Sequence, residues 1–142
     1  MTAVTERPTP TLVTRGRTIT HADIINYANF SGDFAPLHID EEYAKNTQFG
    51  TRIMHGAGVF AVINGLIVLD GLLDNHVAFL GCTFRVVNPT FPGDTLHCEC
   101  STKSVRDTSK GDREVVTYDV RGVNQRGEDV LISEWTLLRD KA

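Results

Sequence analysis

Apolar residues recur along the chain with two periods, and the switch between them separates a helical first half from a strand-rich second half. From Thr20 onward, Ile24, Ile25, Tyr27, Ala28 and Phe30 keep the three-and-four spacing of an amphipathic helix, and Asp23, three residues after Thr20, completes a capping pattern at its start. Gly32 breaks the period. Asp40 then caps a second, short helix predicted over Glu41 to Asn46, with both glutamates in the first turn, where the helix dipole favours them. Between Gly56 and about Leu72, the residues Val59, Phe60, Val62, Ile63, Leu66, Ile67 and Leu69 leave hardly any polar side. A helix of that kind is expected to be wrapped by other structure and to be the most buried in the fold.

Alternation at period two takes over afterwards and predicts strands at Val77 to Asn88, Thr95 to Asp107, Glu114 to Asn124 and Val130 to Arg139, with an earlier one at Leu12 to Ile19. The later four are separated by short stretches rich in turn formers, which favour antiparallel neighbours, so they read as a meander. Long strands plus one all-round apolar helix have one economical solution, a sheet that curls about the helix and shares its core. The pattern therefore predicts a single α+β domain over residues 1–142, with Met1 to Pro10 as a loose arm. Strands this long leave exposed edges that call for a partner, and a homodimer or higher homo-oligomer is expected.

Polar chemistry concentrates in the stretch from Phe30 to His38 and its continuation to Gly56. Asp33 and His38 lie five residues apart on a piece that Pro36 is expected to keep non-helical, because the ring fixes its own φ and pushes Ala35 out of the α region. Gly32 permits a sharp exit from the first helix, and Leu37 supplies an apolar anchor between the two polar side chains. Taken singly, Asp33 is most simply a turn former, His38 a satisfied loop histidine, and His55-Gly56 an ordinary helix start. Together they have the arrangement an acid/base pair needs. Asp40, Glu41 and Glu42 are read as cap and solvated face rather than as catalytic carboxylates.

Composition removes several alternatives. The formal net charge of −4 comes with basic residues scattered among acids, so neither a nucleic-acid face nor a polybasic membrane patch is expected. Met1 to Pro10 contains no apolar run of a signal peptide, and the apolar run from Ala57 to Leu69 is broken by Asn64 and Gly65 and is too short for a bilayer. Three cysteines without zinc spacing fit a reducing, cytoplasmic setting, and Cys98 and Cys100, two apart, should share one buried strand face.

Gly32-Asp33-Phe34-Ala35-Pro36-Leu37-His38, followed by Asp40-Glu41-Glu42-Tyr43-Ala44, Phe49 and His55-Gly56, resembles the signature of the MaoC-like, or hydratase 2, branch of the hotdog superfamily, which includes R-specific enoyl-CoA hydratases and dehydratases. Phe84 to Pro89 and Phe91 to Asp94 resemble the strand and turn that follow the central helix in that family. Ala35 departs from the pattern, standing where the family often has Asn. The resemblance implies a hotdog fold with an overhanging catalytic segment, and hydration of a trans-2-enoyl thioester of CoA or acyl carrier protein, or the reverse. Asp33 would activate water, His38 would bind it and transfer a proton, with the roles exchangeable, and the Gly56 amide would hold charge on the thioester oxygen. His55, Asn64 and Arg52 are candidate substrate-binding residues, with Arg85 a further cation for CoA phosphates. No metal and no cofactor beyond the substrate's own CoA is expected. A hotdog thioesterase and a non-catalytic acyl-CoA-binding subunit remain as alternative readings.

Overall fold

The computed structural model describes residues 10–141, so the arm expected over the first ten residues lies, but for Pro10, outside the described residues. Helix α1 (His21–Ser31) starts as its sequence requires. Thr20 Oγ1 accepts the Asp23 amide at 3.2 Å, and the Asp23 carboxylate accepts the Thr20 amide at 2.8 Å. It ends at Gly32, whose φ of 78° is left-handed and whose amide returns to the Ala28 carbonyl.

The segment around Pro36 corrects one expectation. Ala35 is extended, at φ −55° and ψ 135°, as a residue before proline should be, but the chain then turns at once into helix α2 (Pro36–Ile39). Proline suits the first helical position because the amide it lacks would have had no partner there. His38 therefore rides on one helical turn. Helix α3 (Glu41–Ala44) is shorter than predicted and is capped by Asp40, whose carboxylate accepts the Tyr43 amide at 3.0 Å.

Strands β3 (His76–Val86), β4 (Thr95–Asp107), β5 (Arg113–Val123) and β6 (Asp129–Asp140) fall within a residue or two of their predicted places. Their order does not follow the predicted meander. β4, β5 and β6 are consecutive neighbours, but β3 pairs with β6, giving the antiparallel order β1-β4-β5-β6-β3. The connection from Val87 to Asp94 makes no hairpin. Its Thr90 carbonyl accepts the Met54 amide, so it passes beside the start of helix α4 (Gly56–Leu69) and carries the chain to the far edge. The first predicted strand is split into β1 (Leu12–Val13) and β2 (Arg17–Thr18), both paired with β4.

α4 lies in the curve of this open sheet. Gly58, Val59, Val62, Ile63, Leu66 and Ile67 are buried, whereas Ala57, Ala61, Gly65, Val68 and Leu69 are exposed. The helix is thus enclosed on one face only, not all round. It packs tightly over β5, where a Cβ at Gly122 would stand 2.9 Å from Ile63 Cδ1. Trp135 and Tyr118 fill the core beneath it. Cys98 and Cys100 share the buried face of β4, as their spacing predicts. Phe79 and Phe84 on β3 remain 47% and 41% exposed, although Phe60 of α4 stacks on Phe84 with ring centroids 4.9 Å apart. Among the described residues, no helix is long and apolar enough to cross a membrane.

Candidate active site

The loop after α1 and the first turn of α4 meet through two histidines. His38 Nδ1 lies 2.8 Å from the Ile53 carbonyl oxygen. A carbonyl can only accept, so Nδ1 carries the proton and the neutral ring keeps its lone pair on Nε2. His55 Nε2 lies 2.9 Å from the backbone oxygen of Asp33 and must likewise donate, which leaves its Nδ1 buried without a partner. The two rings stack with centroids 3.8 Å apart and planes 26° apart, and Tyr27 contacts the His55 ring at 4.7 Å.

Asp33 stands at the mouth of this arrangement. Its amide donates to Ser31 Oγ, and its Oδ1 accepts the Ala35 amide at 3.2 Å, an Asx turn that aims the carboxylate. One donor atom from each of Asp33, His38 and His55 lies within 4.8 Å of the others, so the sequence-predicted pair does converge. These three could in principle hold a metal ion, but stacked rings keep their in-plane lone pairs in nearly parallel planes, a poor match to a tetrahedral set. Asp33 is exposed in the single chain.

Burial lowers the His55 pKa below the ordinary imidazole value; its bond to the Asp33 carbonyl offsets this in part, and the His38 charge reinforces it. Gly56, the next residue, opens α4. The first backbone bond of that turn runs from the Val59 amide to the His55 carbonyl, and the Gly56 amide meets no acceptor among the described residues. It lies at the positive end of a 14-residue helix.

The other candidates fall elsewhere. Arg52 donates to Glu41 at 2.7 Å and to His21 Nδ1 at 2.9 Å, while Thr51 holds the second Glu41 oxygen. It ties α3 and the start of α1 to the segment before α4. Asn64 is partly exposed, eight residues beyond Gly56. That is about 12 Å along the axis from the start of α4. Arg85 is exposed on β3. Two cavities flank the site, one of about 300 Å³ between α1 and α4 beside Tyr27, Met54 and Gly58, the other of about 240 Å³ beside Phe49, Ile53 and Val86. Sequence reasoning saw Tyr27 only as an apolar helix position, and it had no signal for Ile53, which acts through its carbonyl.

Comparison with known proteins places this geometry in context. The model of the MaoC like domain matches residues 4–124, and the chain belongs to that family. It is 33% identical to Protein MaoC of Klebsiella aerogenes over 79% of its length, and 39% identical to mesaconyl-CoA hydratase of Cereibacter sphaeroides over 74%. The matched region spans only about a third of each, 34% and 31% respectively. The (R)-specific enoyl-CoA hydratase of Aeromonas caviae is 29% identical over 75% of both chains. Among solved structures, an R-hydratase from Pseudomonas aeruginosa superposes with a TM-score of 0.75 at 29% identity, covering 92% of this chain and 80% of that one. A monoamine oxidase regulatory protein from Archaeoglobus fulgius superposes with 0.86 at 34% identity, covering 92% and 88%. The open curved sheet with its helix is the MaoC hotdog fold.

Proposed function

We propose that the chain is a hydro-lyase that adds water reversibly, with R stereochemistry, to trans-2-enoyl thioesters of CoA or acyl carrier protein. The observation that carries this reading is the convergence of the Asp33 carboxylate and the His38 imidazole with His55, whose neighbour Gly56 opens α4 with an amide that meets no acceptor among the described residues. A water between the two side chains loses its proton to Asp33 or to His38 Nε2 as it attacks the β-carbon, and the same pair returns a proton to the α-carbon. General acid and base groups so placed contribute about 10²–10⁴-fold each. The Gly56 amide takes the charge that develops on the thioester oxygen. The two similar hydratases act on CoA esters by name, which supports the thioester class.

The reading includes a homodimer. Phe30, Phe34, Val68 and Leu69 are exposed, and among the described residues the outer edge of β3 is unpaired. A second chain would bury these groups and dry the site. Purified protein should consume the enoyl absorbance of crotonyl-CoA or of a branched or dicarboxylic enoyl-CoA, and Asp33→Asn should nearly abolish that turnover. Undiminished activity in Asp33→Asn would end the assignment. A monomeric mass by light scattering at micromolar concentration would remove the dimer.

A further inference from the structure

His55 occupies the residue before α4, where a side chain ordinarily caps the helix, yet it makes no capping bond. The ring is used elsewhere. It donates to the Asp33 carbonyl across 22 residues, the only non-local hydrogen bond reaching residues 31–36 among the described residues. One face of the same ring stacks on His38. Between Ser31 and Pro36 every residue is exposed, so packing does little to hold this loop. His55 itself is 2% exposed, and its Nδ1 is buried without a partner. An unpaired buried nitrogen costs stability, and a phenyl ring would fill the same space without that cost.

We infer that His55 is a positioning residue, a single buried imidazole that holds Asp33 through its backbone and His38 through its ring and so sets both against the Gly56 amide. The consequence for rate rests on the hydration reading above; the brace itself does not. Its logic is geometric. Asp33 and His38 are spaced by a short turn, but only a contact from the α4 side can set their distance from the amide that begins α4. A misplacement of about 1 Å in such a constellation costs on the order of 10²-fold in rate.

Three variants separate the roles. Gln in His55→Gln can place its amide nitrogen where Nε2 stands and keep the bond to Asp33; Asn in His55→Asn stops near the Nδ1 position and cannot; His55→Phe keeps the stack and loses the bond. His55→Gln should retain kcat within about tenfold, whereas His55→Asn and His55→Phe should lose about 10²-fold, with KM changed less than about threefold in all three. Amide hydrogen exchange across residues 33–38 supplies a readout that needs no turnover. It should accelerate in the Asn and Phe variants and stay near wild type in the Gln variant. Equal kcat and equal exchange in His55→Gln and His55→Asn would overturn the inference, and that pair decides it even if His55→Phe fails to fold. If wild-type protein hydrates no enoyl thioester, the proposed function fails, and the exchange comparison still decides the brace.

Discussion

Adding one methyl group at Gly56 tests the amide that opens α4. A Cβ built there would stand 2.9 Å from Val86 Cγ2 and 3.8 Å from Val86 Cβ. Ordinary carbon contact needs about 3.5–4.0 Å, so at least about 0.6 Å must be found. Val86 is β-branched and stiff at χ1, which prevents a free swing of its methyl group. The strain is shared, and the Gly56 amide moves by several tenths of an ångström. Complete removal of an oxyanion donor costs about 10²–10³ in kcat, and donors act only within about 2.7–3.1 Å of the oxygen. A partial displacement therefore predicts a fall in kcat of about 10–10²-fold in Gly56→Ala. Overpacking costs about 1–3 kcal/mol, and the better helix propensity of alanine returns up to about 1 kcal/mol, so the net loss of stability should be about 3 kcal/mol or less. Turnover of crotonyl-CoA measures the first quantity, urea unfolding the second. The double variant Gly56→Ala with Val86→Ala removes the clashing methyl and should recover about tenfold. Wild-type kcat in Gly56→Ala would refute the role of the amide, and no recovery in the double variant would refute the steric route.

Further outcomes follow from the same structure. Burial lowers the pKa of His55, and burial together with the Arg139 charge lowers that of His76, below the ordinary 6.5. As pH falls through that value the unfolded chain takes up protons first, so stability is complete above it and declines toward the depressed folded values. The urea midpoint should drop between about pH 7.5 and 5.5, less steeply in His76→Gln, and a midpoint that rises on acidification would contradict this. Gly122→Ala puts a Cβ 2.9 Å from Ile63 Cδ1 and 3.0 Å from Cγ1; a loss of about 1–3 kcal/mol is expected, partly restored by Ile63→Val, and an unchanged urea midpoint would argue against so close a helix. Burial pushes the Cys100 thiol up to about 12 and Cys98 higher still. Both should resist a disulfide reagent until the chain unfolds, and native labelling at either would place β4 wrongly.

Much of the fold was legible because local rules and the final structure agree. The Thr20 to Asp23 cap, the Asp40 cap and the four long strands depend on neighbours in sequence, and each appears where the pattern puts it. The failures share a cause. Pro36 predicts a non-helical piece, but the effect of a proline depends on whether it stands inside a helical turn or begins one. Short, turn-rich connections predict a meander, yet β3 joins β6, and its connection to β4 passes beside the backbone at Met54.

The candidate site divides along the same line. Asp33, His38 and Gly56 were visible in sequence because an acid, an imidazole and a helix-opening glycine are residue types with chemistry of their own. What the sequence by itself determined was therefore the inventory of reacting groups and the elements that carry them. Only the tertiary structure decided the tautomer of His38, set by the Ile53 carbonyl, and the place of His55, which reaches 22 residues back to the Asp33 backbone. It also pairs Arg52 with Glu41 and His21. The physical reason is that backbone carbonyls and ring stacking bear no residue label; their effect exists only once distant segments are brought within a few ångströms.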